Sequence, residues 1–211
     1  MKSLLLTALL ATSPVPLSAA VVHSGPQDLS VTWNDLDGLY INMNTGEIAH
    51  TWPDDFYDAP WINITLGGNG IFNSDVLRPI ATSAGTYDPE LPTDYYLNLA
   101  PGTVVDASSA FVVEGWGSTL HMGNSGDPGK FVVNESGFLG FEFQNQAGGD
   151  IHYGWLHLTP SNDANGTIVD WAYNDTAGQA IQVGVVPVPE PSTSAVLLGT
   201  LGIAAFRRRR A

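Results

Sequence analysis

An all-β fold, a two-sheet antiparallel sandwich or jelly roll, is what this sequence predicts, and three observations predict it. Apolar residues recur with period two from end to end of the stretch 21–187, the spacing of half-buried strands. Clusters of Gly, Asn, Asp and Pro separate the runs, as turns between strands do. No stretch there has the spacing of an amphipathic helix, so the helical crossovers that parallel sheets need are missing.

In chain order, Leu29, Val31 and Trp33 alternate with Ser30 and Thr32, and Leu39, Ile41 and Met43 with Tyr40 and Asn42. Asn44-Thr45-Gly46 closes that run. The stretch Trp61 to Leu66 puts Ile62, Ile64 and Leu66 on one face and ends in Gly67-Gly68-Asn69-Gly70. From Ala81 to Pro101 the chain is proline-rich and weakly patterned, which predicts a long surface loop. Asp127-Pro128-Gly129 and Gly148-Gly149-Asp150 mark further turns. Between Gly137 and Val185 four strands are predicted, at Gly137–Gln144, Ile151–Leu158, Thr167–Tyr173 and Ala180–Val185, with Asn165-Gly166 as a hairpin turn. An antiparallel meander is the expected result. In its second strand Tyr153 and Trp155 fall out of phase with Leu156 and Leu158, so a bulge or burial on both faces is expected.

Both ends read differently from this body. Met1-Lys2, the apolar run Leu4 to Leu10 and the small residues Ser18-Ala19-Ala20 make residues 1–20 a secretory signal peptide cut after Ala20, which implies passage through the Sec machinery. Residues 188–211 contain Pro189-Glu190-Pro191, an uncharged run from Ala195 to Phe206, and Arg207-Arg208-Arg209-Arg210. As a single helix the twelve residues 195–206 reach ~18 Å, short of a hydrocarbon core of roughly 30 Å. The arginines hold the C-terminus on the cytoplasmic side, so the body between the ends, residues 21–187, lies outside as one domain.

Those ends carry five of the seven basic residues. The body keeps Arg78 and Lys130 against twenty acids, a net of −18. Nucleic acid and anionic lipid, which need a basic surface, are thereby excluded as partners. Cysteine is absent, so neither disulfides nor thiolate sites hold the exported body together. Six Trp, seven Tyr and, Phe206 of the tail aside, seven of the eight Phe are available to build an apolar core instead.

The tail resembles the PEP-CTERM sorting signal of exported bacterial proteins, with Pro189-Glu190-Pro191 as its motif and Arg207 to Arg210 as its basic end. That resemblance implies an exosortase, a membrane cysteine protease, as processing partner. It also implies transient inner-membrane anchoring, delivery to the cell surface or matrix, and association with exopolysaccharide. His152 to Leu158 and Val169 to Gly178 are similar to a block found in a group of PEP-CTERM ectodomains with no assigned chemistry, so the resemblance brings no catalytic residue with it.

Three constellations in the body bear on function. Asn34-Asp35-Leu36-Asp37-Gly38 places oxygen ligands before a glycine turn, but Trp33 and Asn44 stand where a calcium loop needs acids. Ser161, Asp163, Asn165 and Gly166 imitate the same half-motif, with Ala172 in place of the final acid. A Ca²⁺ site would therefore need Asp54, Asp55 and Asp58 together with Asp35 and Asp37. Tryptophans are the second group: Trp52 beside Pro53, and Trp116 between Gly115 and Gly117, sit in loop-like surroundings where a flat ring can stack on a sugar, as in a lectin-like module. Third, Glu114 and Glu142 are the acids a glycosidase would pair, though nothing in their spacing demands it. The histidines are scattered, with His152 and His157 on opposite faces of a regular strand. No nucleophile elbow, phosphate loop or dinucleotide fingerprint is present. The expectation is a protein without catalytic activity and without a cofactor.

Overall fold

The computed structural model describes residues 20–32, 37–81, 96–112, 115–119, 131–161 and 165–186. Outside the described residues lie the leader before Ala20, the tail from position 187 with its predicted helix and arginines, Asp35, Glu114, Asp127-Pro128-Gly129 and most of the proline-rich stretch. The described chain is all-β, with three antiparallel sheets and a single 3-10 turn at Leu66–Gly68.

The largest sheet runs in the order β1 (Val21–His23), β13 (Gly166–Asn174), β12 (Ile151–Thr159), β11 (Gly137–Gln144), β7 (Leu77–Pro79). Two short strands extend it, β2 (Leu29–Val31) on β13 and β8 (Asn98–Leu99) on β11. A second sheet runs β10 (Trp116–Ser118), β6 (Gly70–Asn73), β5 (Trp61–Thr65), β3 (Leu39–Asn42), β4 (Ile48–Ala49). The two pack face to face: Ile41, Ile62 and Ile64 of the second sheet lie in one buried cluster with Leu139, Phe141 and Leu156 of the first. No long helix is needed to close such a core, because each sheet offers one apolar face to the other.

The predicted meander is present as β11, β12 and β13, with β11 bounded as the sequence indicates. Of the two alternatives expected for its second strand, burial on both faces is the one found, and β12 itself carries no inserted residue. Tyr153 and Trp155 face a second buried cluster while Leu156 and Leu158 face the main core. A bulge interrupts the pairing, where His157 opposes Asp170 but Leu158 opposes Ile168. The extra residue is therefore Val169, on β13. It shifts the phase of that strand so that Ile168, Trp171 and Tyr173 all reach the main core, and it turns Asp170 outward.

Four expectations are corrected. Ala180–Val185 contributes only β14 (Ile181–Gln182), which leaves the meander and pairs with β9 (Val104–Val105) in a third, two-stranded sheet. Asn165-Gly166 is not a two-residue hairpin turn: Gly166 is already in β13, paired with Val31, and a Cβ there would collide with the carbonyl oxygen of Gly67. The run 61–66 is buried on both faces rather than one, and Leu66 leaves the strand with φ 51°. The stretch 81–101 is not all surface loop. Tyr96 is bridged to Ala81, is fully buried, and donates its hydroxyl to Asn73 Oδ1 at 3.2 Å.

The third sheet covers the outward face of the first. Ile80, Val105, Trp155, Ile181 and Val183 form the second core there. Close approach is possible because Gly140 lacks a side chain: a Cβ would stand 2.7 Å from Ile80 Cδ1 and from Leu99 Cδ1.

Candidate functional site

The outward face of the five-stranded sheet has a partial cover, and that is where exposed aromatic rings gather. Tyr40, Asn63 and Phe72 stand side by side in register on β3, β5 and β6, with their inward neighbours Ile41, Ile64 and Ile71 in the core. The connection from β4 to β5 folds back over one end of this face through tight turns, with Phe56 N–H donating to Pro53 O at 3.1 Å and Ala59 N–H to Asp55 O at 3.0 Å. Asp55 fixes the loop to the sheet by accepting the indole N–H of Trp61 at 2.9 Å.

This fold-back stacks four rings. Phe56 is buried edge-on against Tyr40 at 5.9 Å, and Trp52 lies over Phe56 at 4.3 Å. Tyr57 meets Trp52 at 5.6 Å with the planes 55° apart. The lower pair is buried while Trp52 is 51% and Tyr57 56% exposed. Phe72, on the same face, is 38% exposed. Solvated aromatic rings held on a buried aromatic base form a preorganised shelf, since little side-chain freedom remains to be lost on binding. Burial of the C–H faces of a sugar ring on such a shelf is favourable while its hydroxyls stay in water.

Trp52 is exposed, as its surroundings in the sequence lead one to expect, while Tyr57 and Phe72 are exposed rings that the sequence pattern does not single out. Trp116 is on β10, where its backbone opposes Phe72. Of the acids proposed for calcium, Asp35 lies outside the described residues, and Asp37, Asp54, Asp55 and Asp58 form no metal-holding group among the described ones. Asp54, Asp55 and Asp58 are exposed on the fold-back loop, Asp55 also accepting the Trp61 indole N–H, and Asp37 lies two residues before the start of β3. Among the described residues no group of three acidic or imidazole side chains is placed to hold a metal ion. A half-motif followed by a glycine is a turn signal first, and the missing terminal acid removes the ligand that would close the loop.

A second cluster was invisible in the sequence. The bulge at Val169 aims Asp170 between two histidines, with His23 Nε2 on one carboxylate oxygen at 3.1 Å and His157 Nδ1 on the other at 3.2 Å. Gly25 N–H donates to His23 Nδ1 at 3.3 Å, which leaves Nε2–H to donate to Asp170. Phe138 stacks on His157 at 4.2 Å. Each imidazole is thus oriented, and the carboxylate ties β1, β12 and β13 together. His152 is elsewhere, buried and donating from Nδ1 to Asn174 O at 2.9 Å.

Glu142 sits on β11 opposite Arg78 of β7, with Arg78 Nη1 donating to Oε1 at 3.3 Å. Burial raises its carboxyl above the ordinary range, and the neighbouring guanidinium only partly offsets this. The concavity beside the pair is about 20 Å³, room for one water and not for a sugar ring. A larger polar cleft of about 260 Å³ opens between β1 and the β3–β4 turn, lined by Gln27, Asn44, Thr45 and Trp171 among others. Asn63 and Asn174, both within glycosylation sequons, are buried, and Asn63 Nδ2 donates to Asp37 O at 2.7 Å.

An all-β body that runs straight into a sorting tail defines the class of this protein. Val183 N–H still donates to Thr103 O at 2.9 Å, and the tail begins four residues later: residues 187–210 match the family described as the PEP-CTERM protein-sorting motif. The chain is accordingly a secreted protein with an exosortase as its processing partner and a membrane-associated cell-surface or extracellular destination. Comparison with curated proteins and with solved structures returns no match. No described helix is long and apolar enough to cross a membrane, and the run 195–206 lies outside the described residues.

Proposed function

We propose that this protein is a non-catalytic component of an extracellular polysaccharide matrix, held to the polysaccharide by the Trp52–Tyr57 shelf. The signal peptide passes it through the Sec machinery and is cut after Ala20. The run Ala195–Phe206 anchors it transiently in the inner membrane with Arg207–Arg210 on the cytoplasmic side, until cleavage near Pro189-Glu190-Pro191 releases a two-sheet sandwich to the surface. The observation that carries the reading is the shelf itself. Two large rings stand more than half exposed on the buried rings of Tyr40 and Phe56, in a chain that supplies ample aliphatic residues for a core. Solvated aromatic groups of that kind mark an interaction site.

Co-sedimentation of the full-length chain, purified in detergent, with a panel of insoluble polysaccharides tests this. Binding of the native chain to at least one of them, with loss in Trp52→Ala and Tyr57→Ala at unchanged melting behaviour, is the expected result. Equal binding by native and variant chains removes the shelf from the reading. Export is tested separately: substituting Pro189 and Glu190 by Ala leaves a longer, membrane-bound precursor in cells that carry an exosortase.

A further inference from the structure

The geometry points to a cationic polysaccharide as the occupant of the shelf, a chain of hexosamine units with free amines. This rests on the glycan reading above and narrows it. Between positions 37 and 65 the chain carries Asp37, Glu47, Asp54, Asp55 and Asp58 and neither Lys nor Arg. The fold-back loop that builds the shelf holds Asp54 and Asp58 exposed beside Trp52 and Tyr57. Arg78 lies on the other large sheet and is engaged with Glu142.

A sugar chain reaching this surface therefore meets open aromatic faces flanked by carboxylates. An ammonium group is attracted by both, by the ring quadrupole of Trp and Tyr and by the field of a body with twenty acids against two bases. A neutral chain gains the stacking alone. A uronate or sulfated chain gains the stacking and loses it again to like-charge repulsion. Three exposed acids contribute direction: Asp54 and Asp58 are open at the rim, and Asp55, though it accepts the Trp61 indole N–H on one oxygen at 2.9 Å, keeps its charge beside them.

Calorimetric titration of the full-length chain in detergent, with glucosamine, N-acetylglucosamine and galacturonic acid hexamers, separates the outcomes. The free-amine hexamer is expected to bind about tenfold tighter than the acetylated one at low ionic strength, with the gap closing at high salt, where the Debye length falls to about 3 Å. The uronate hexamer should not bind. Trp52→Ala weakens the glucosamine complex about tenfold, and the double variant Asp54→Asn, Asp58→Asn narrows the preference for the free amine. Equal affinity for the acetylated and free-amine hexamers overturns the cationic assignment and leaves the glycan reading standing. Failure of every hexamer to bind sinks both. A glucosamine complex that none of these substitutions weakens belongs to the acidic coat as a whole, and the shelf is then not its site.

Discussion

The two large sheets share one core, yet their outward faces meet opposite fates. On the seven-stranded sheet a second cluster, with Trp155 at its centre, is sealed by β9, β14 and the Ile80 region, and the histidine pair on Asp170 closes one flank. On the five-stranded sheet the fold-back loop covers one end and leaves Trp52, Tyr57 and Phe72 in water. Similar side chains are thus sealed into a core on one side and left partly in water on the other, where the proposed glycan shelf lies. What separates them is whether the chain returns to cover the face, which no local pattern in a strand encodes.

The sharpest way to break this contrast is to truncate one tryptophan on each side. Trp155→Ala removes a fully buried indole and is expected to cost about 3–5 kcal/mol, read as a shift of the urea midpoint. Trp52→Ala, which uncovers Phe56 only in part, is expected to cost about 1 kcal/mol or less in the same measurement. Comparable losses would show both faces to be structural. Gly140→Ala tests the seal directly: the new methyl wedges between β11 and its cover, and destabilisation of about 1–3 kcal/mol is expected, with faster hydrogen exchange in β9 and β14. Asp170→Asn turns an acceptor into a donor facing an imidazole N–H, at a cost of about 1 kcal/mol for these half-buried groups, with the N-terminal strand β1 the first to exchange.

The smallest effect concerns Glu142. Its carboxyl lies above the ordinary range because burial outweighs Arg78, so the carboxylate is less comfortable in the folded chain than in the unfolded one. Its stabilising contribution is present when it is protonated at low pH and is lost as pH rises through the folded value. Glu142→Gln should therefore raise the melting temperature at pH 7.5, by less than about 1 kcal/mol equivalent, and the advantage should vanish towards pH 4. A larger gain at acid pH than at neutral pH would reverse the assignment of cause.

Legibility in the sequence followed the range of the interaction. Val169 appears there as one more apolar residue between Ile168 and Asp170. Its role as an inserted residue emerges only when His157 pairs with Asp170 and Leu158 with Ile168. The meeting of His23 with Asp170 joins positions 147 apart, and nothing near either residue announces it. Trp52 was singled out by its proline neighbour, a local cue. Tyr57 gave no such cue, because its exposure depends on Phe56 taking the buried place beneath.

The sequence by itself determined the sorting address, the acid coat and the strand periodicity, since each is a property of neighbours along the chain. Tertiary structure alone decided which of two sheet faces carrying aromatic residues would be covered. That outcome depends on where β9, β14 and the loop between β4 and β5 come to rest. It is a balance of packing over long separations, where the absent β-carbon at Gly140 or an extra residue at Val169 selects the contact that forms.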